Sequence, residues 1–181
     1  TAGYRVKGWT LDGKPVNGAD NSYQLKIEKA VSVKVSFEKL PPELFAVTFG
    51  VDGTGGTLKA KVEGGSEINS GNKVEHGKTV TFTAEPSDNY EVDKWTITGG
   101  AFETGTGIGG STTAKVKITA TVNITVSFKL KNYTVTFSVD GAGGTLKATA
   151  DGVAETETSP ITVEHGKTVT LTAAPAAGYK V

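Results

Sequence analysis

The chain has no cysteine among its 181 residues, so it holds no disulfide framework and runs no thiolate chemistry. Its redox compartment stays open. It has no surplus of charge either: 19 Lys and Arg stand against 19 Asp and Glu. Without a net positive field, neither nucleic acid nor an anionic membrane surface is favoured as a partner. No apolar run approaches a membrane span, so no membrane insertion is expected in this segment. No charged-then-apolar signal segment stands at Thr1, and the chain reads as starting inside something larger. Histidine is scarce as well. His76 and His165 are the only two, each without a second histidine or cysteine nearby, so no metal site and no cofactor are expected. Helical spacing is missing throughout, since no segment sustains it over ten residues.

What is present is repetition. VEHGKTV occurs at Val74 to Val80 and again at Val163 to Val169. Its GKT core matches the tail of a phosphate-binding loop, but the glycine required five positions earlier is Asn72 in one copy and Ile161 in the other. TVTFTAEP and TVTLTAAP follow, period-2 and β-branched, where a phosphate loop would open a helix. Glu-His-Gly-Lys therefore reads as a turn between strands. His165 follows His76 by 89 residues and Trp95 follows Trp9 by 86, so the period is close to ninety. Tyr4, Tyr90 and Tyr179 fall in step. AVTFGVDGTGGTLKA at Ala46 to Ala60 returns as TVTFSVDGAGGTLKA at Thr134 to Ala148, and VKVSFEKL at Val33 to Leu40 returns as ITVSFKL at Ile124 to Leu130. A period this long exceeds that of solenoid repeats, so each copy is expected to be a small domain.

The phase gives one whole copy, 46–131, preceded by the second half of a copy, 1–40, and followed by the first half of another, 133–181. The alternative is a permuted pair of units, 1–86 and 87–181. Ladders between TVTFTAE and EVDKWTIT distinguish the first scheme, and ladders between VKVSF and AVTFGV the second. Within the whole copy, AVTFGV and TLKAKV read as a hairpin around the Gly-rich DGTGG turn. Alternation breaks between Tyr90 and Trp95, and between Tyr4 and Trp9, so a bulge near Lys94 and Gly8 is expected to return each tryptophan to the core side. The fold class is all-β, with about six antiparallel strands per copy in a small sandwich or partly open barrel.

These features together, G-x-G-G-T-L, V-x-x-G-K-T-V-T with its T-A ending, a proline, Gly-Tyr-x-Val-x-x-Trp and a closing V-x-V-x-F, resemble the divergent internalin-type B-repeat modules. Gly3 to Trp9 carries the strongest piece, and Asn89 replaces its glycine in the middle copy. The resemblance covers the whole chain. It implies a non-catalytic tandem-repeat module of bacterial secreted or cell-surface proteins, a stalk, spacer or adhesion unit located extracellularly, with a protein or glycan of the host or cell surface as partner. The better-known internalin B-repeats resemble a β-grasp with a helix crossing the sheet; here no helix is legible.

Catalysis finds little support in the residues. Asp52 and Asp140 recur, but each sits in a DG turn where aspartate serves local hydrogen bonding, and neither brings the second carboxylate a glycosidase needs. Calcium would need more oxygen ligands than these turns offer. Lys26, Lys34, Lys115 and Lys117 fall on the polar face of their strands, away from the apolar pocket an isopeptide bond requires. The candidate ligand-binding residues are aromatic: Trp9, Trp95, Tyr4 and Tyr90, as a stacking platform for sugar rings in an accessory module of a secreted enzyme. One Trp per copy in the most regular part of the repeat also suits a core residue. Phe102 is a further candidate, expected exposed in GGAFETGTGIGGSTT, where the middle copy carries five extra residues. The half copies, each lacking its complement, predict head-to-tail self-association.

Overall fold

Alternating β-branched residues separated by glycine turns leave the chain one way to satisfy its backbone, as strands. A computed structural model describes residues 3–181 and shows that result: every regular element among them is a β-strand. The chain divides into two compact units, one ending at Glu43 and one spanning Leu44–Val181.

The first unit is a three-stranded sheet of β1 (Tyr4–Leu11), β2 (Lys14–Val16) and β3 (Val33–Lys39), in the order β2-β1-β3. Asp12 and Gly13 join β1 to β2 with φ of 48° and 79°, the two left-handed residues of a tight hairpin. The expected bulge is present: Val6 pairs Phe37 and Gly8 pairs Ser36, leaving Lys7 as the extra residue.

The second unit opens with the complete copy. Its strands are β4 (Leu44–Asp52), β5 (Gly56–Val62), β6 (Glu67–Ile68), β7 (Asn72–Glu75), β8 (Thr79–Pro86), β9 (Tyr90–Thr98), β10 (Thr113–Lys117) and β11 (Val122–Leu130). They form two four-stranded sheets, β10-β8-β5-β6 and β7-β4-β11-β9. Val80, Phe82 and Val116 from one sheet and Val47, Ile124 and Val126 from the other are fully buried in a common core, which makes the copy a sandwich. The second bulge falls where Ser127 pairs Lys94 and Phe128 pairs Val92, with Asp93 extra.

Three expectations are corrected here. The AVTFGV and TLKAKV strands are not a hairpin: β4 and β5 lie in different sheets, and the DGTGG segment carries the chain from one to the other. The strand count is eight rather than about six. The pairing is not wholly antiparallel, because β4 runs parallel to β11 from Val47↔Val122 to Asp52↔Ser127. That ladder joins the first strand of the copy to its last. Neither of the two ladders that distinguish the repeat schemes forms among the described residues, since β8 pairs with β5 and β10, β9 pairs with β11, and β3 pairs with β1.

The following half copy supplies β12 (Asn132–Val135), β13 (Gly144–Ala150), β14 (Val153–Thr156), β15 (Ile161–Glu164) and β16 (Val169–Pro175), paired as β12-β15 and β14-β13-β16. Phe137, Ala148, Ile161 and Val163 form a smaller core.

Candidate functional site

The residues that recur most faithfully turn out to be those that shape the backbone. In each EHGK segment the glycine is left-handed, Gly77 at 84° and Gly166 at 82°, and the lysine N–H donates to the glutamate carbonyl three residues back at 3.2 Å. Each is a turn leading into a strand. Each histidine packs against an aromatic ring, His76 edge-on to Phe45 and His165 tilted against Tyr133, both at 6.0 Å between centroids. At the Gly-Tyr motif Gly3, Asn89 and Gly178 all have positive φ, and Asn89, at 66°, fills the glycine's role because asparagine tolerates that conformation. The following carbonyl geometry repeats as well: Gly3 O accepts from Leu40 N, and Asn89 O from Lys131 N.

Tyr90 is half-buried because its ring lies on Gly55. A methyl group at Gly55 would fall 2.5 Å from the ring, and Gly55 has φ of +106°. Tyr179 lies on Gly143 in the same way, at 2.6 Å. Gly56 admits a second ring, since a methyl there would stand 2.6 Å from Phe128. The glycines of DGTGG thus serve close packing more than hairpin formation, which the sequence reading missed. Their recurrence beside an equally recurrent tyrosine was the available signal.

Trp95 is buried, at 5% exposure, and its Nε1–H donates to the Ser111 carbonyl at 2.8 Å. Trp9 is half-buried and donates to the Asp20 carbonyl at 2.8 Å, with Tyr23 tilted beside it at 6.0 Å. The acceptor lies 11 residues after Trp9 and 16 after Trp95, so the five-residue insertion sits between tryptophan and acceptor. Phe102, in that insertion, corrects the expectation of exposure: it is half-buried, edge-on to Trp95 at 6.2 Å, and seated on Gly107. The loop is tied to β10 at both ends, Glu103 N donating to Lys115 O and Gly107 N to Thr113 O. Thr106 Oγ1 accepts from Lys115 N and donates to Glu103 O.

The five aromatic candidates therefore occupy three separate settings. Trp95 and Phe102 pack together, Tyr90 lies on the glycine turn, and Trp9 and Tyr4 belong to the first unit. Tyr4 is 52% exposed and lines a cavity of about 440 Å³ with Val6 and Phe37. Of the five, Tyr4 is the exposed one; Trp9, Tyr90 and Phe102 are half-buried and Trp95 is buried. Charged groups offer no shared site among the described residues: the ion pairs, such as Lys59 with Glu85 at 2.8 Å, lie on the surface. The hydrogen bond from Lys59 holds the Glu85 carboxyl below its usual range and lifts the lysine above its own.

Comparison with known proteins gives a match to the divergent InlB B-repeat domain over residues 1–41, 52–132 and 133–181. The chain belongs to that family. B-repeat-like domains are typical of bacterial surface proteins, and the chain is a repeat module of that kind. No curated protein and no solved structure matches it significantly. The middle B-repeat match begins at Asp52 and so leaves out most of β4, although the parallel ladder to β11 makes that strand part of the sandwich.

Proposed function

We propose that this B-repeat segment is a non-catalytic spacer, one part of a stalk that holds other domains of a bacterial surface or secreted protein away from their attachment. The observation that carries the reading is that the residues defining the repeat are consumed by folding. Trp95 is buried with its N–H satisfied, Tyr90 and Tyr179 cover glycines, and the EHGK segments are turns. Residues that recur for packing leave function to the array: its length and its placement of neighbours.

An adhesion role, with a protein or glycan of the host or cell surface as partner, is the second reading. It is favoured by the exposed ring of Tyr4 and the half-buried ring of Trp9. Arrays of glycans and matrix proteins separate the two. The spacer reading expects no saturable binding by the 181-residue chain. Glycan binding abolished by Trp9→Ala would replace it with the carbohydrate-binding accessory module. Turnover of a substrate, lost on changing one carboxylate or histidine, would overturn both.

A further inference from the structure

A pull on a tandem module enters and leaves through the backbone, so the placement of a repeat's first and last strands decides what the pull meets. In the complete copy these strands are β4 and β11, parallel neighbours paired from Val47↔Val122 to Asp52↔Ser127. The entering end of β4, at Leu44, and the leaving end of β11, at Leu130, therefore lie at opposite ends of the ladder. Tension between them runs along the strands and shears the bonds of the ladder together. In an antiparallel pair the two ends would lie side by side, and the bonds would open one after another.

Three further features resist that sliding. Neither strand lies at an edge of its sheet, because β7 holds β4 from Leu44 to Val47 and β9 holds β11 from Asn123 to Leu130. On the inner face Val47, Val122, Ile124 and Val126 are fully buried, so water cannot reach the ladder from that side to take over a strained bond. On the outer face Thr48 Oγ1 lies 3.1 Å from the Val122 carbonyl and 2.9 Å from Asn123 Oδ1, so its hydroxyl ties β4 to β11 beyond the backbone. The chain has no cysteine, and no disulfide takes the load in place of the ladder.

We propose that the complete B-repeat is a force-bearing link, in which a pull between Glu43 and Lys131 loads the β4–β11 ladder in shear and leaves the sandwich folded under tension that would peel the same sheet apart from one end. The inference rests on the spacer reading, because only a module strung between an attachment and an outer domain meets such a pull. It adds to that reading a property of direction: resistance comes from how the terminal strands are placed and not from the number of bonds between them.

The test holds the full 181-residue chain at constant force in optical or magnetic tweezers, with handles on introduced cysteines in a chain that has no other. Glu43→Cys with Lys131→Cys pulls the ladder in shear. Asp52→Cys with Lys131→Cys pulls on the same end of both strands and peels it; all three positions are exposed. Full unfolding releases up to about 300 Å for the 88 residues from 43 to 131 and about 270 Å for the 79 from 52 to 131, which shows that the whole copy opens in both geometries. The folded lifetime at a common force should be longer in shear by about tenfold or more, since more than one backbone bond must break in a single event. Thr48→Val should shorten the lifetime in shear by about fivefold and leave it in peeling within about twofold, because Thr48 stands at the far end of the ladder from Asp52. An unchanged released length shows that this variant still folds. Equal lifetimes in the two geometries, or a Thr48→Val effect of the same size in both, would overturn the proposal and leave the spacer reading standing. Saturable binding on the arrays would remove the spacer reading without altering the measured lifetimes.

Discussion

The same strand sequence has two fates in this molecule. AVTFGVD in the complete copy is β-strand to its last residue, Asp52, while TVTFSVD in the following half copy leaves the strand after Val135. Both contain a phenylalanine whose N–H donates to a serine hydroxyl, Phe49 to Ser70 and Phe137 to Ser159. What differs is β11, which pairs with β4, whereas among the described residues no such strand lies beside β12. Burial follows the same division. Phe82 on β8 is fully buried, but Leu171, at the same place on β16, is 51% exposed; Val126 on β11 is fully buried, but Val35 on β3 is 37% exposed. Strand propensity is common to both members of each pair, so the contrast shows that tertiary partners, several tens of residues away, decide the outcome.

The largest effects should separate the two settings. Trp95→Ala removes a buried ring and a satisfied N–H, and should destabilise the second unit by about 3–5 kcal/mol in urea unfolding; Trp9→Ala, half-buried, should cost clearly less. Equal losses would mean that the half copy holds its tryptophan as firmly as the sandwich does. Phe82→Ala should likewise cost about 3–5 kcal/mol, whereas Leu171→Ala should stay within about 0.5 kcal/mol. Comparable midpoint shifts for that pair would break the comparison. At the glycine turn, Gly55→Ala meets both a positive φ and the Tyr90 ring, and should cost about 2–3 kcal/mol, against about 1 kcal/mol for Gly53→Ala, where φ is +88° but nothing lies within contact.

The smallest effect is electrostatic. Lys59 pairs with Glu85, while its counterpart Lys147 has Ala174 at the place of that glutamate and turns to Glu155 at 2.9 Å instead. The lowered Glu85 carboxyl contributes stability present above the ordinary glutamate range and lost as pH falls through its depressed value. Lys59, raised, contributes below the ordinary lysine range and loses its share as pH rises through its elevated value. Both groups stand in water, so Glu85→Gln should leave the unfolding midpoint at neutral pH unresolved from the parent. A clear drop would assign the pair a structural weight that solvent screening denies it.

Much of this was legible because it is local. The ninety-residue period, the EHGK turns, the bulges before Trp9 and Trp95 and the absence of helix all follow from residues close in sequence. The sheet assignments did not, since alternation tells which face of a strand is apolar but not which sheet receives it. Val47, Val51, Leu58 and Val62 alternate equally well as a hairpin or as a crossing between sheets. The parallel β4 and β11 pair joins Val47 to Val122, beyond the reach of any turn signal. Phe102 was misread because a glycine-rich loop was taken as exposed, whereas Gly107 is small in order to seat that ring. Of the aromatic candidates, the sequence could name the residues but not divide them, because Trp95 meets Phe102 and the Ser111 carbonyl in a loop whose path alternation does not show.

The central claim, that the second half of a repeat makes the first half a strand, is tested most directly by amide hydrogen exchange at dilute, monomeric concentration. Phe49 N faces Ser70, so alternation along β4 turns the amides of Thr48, Gly50 and Asp52 toward β11, whereas Thr136, Ser138 and Asp140 are exposed and lie in no strand. The account predicts slow exchange for the first three, fast exchange for the second three, and a smaller difference between Phe49 and Phe137, whose serine partners are both present. Equal protection of Thr48 to Asp52 and Thr136 to Asp140 would contradict it.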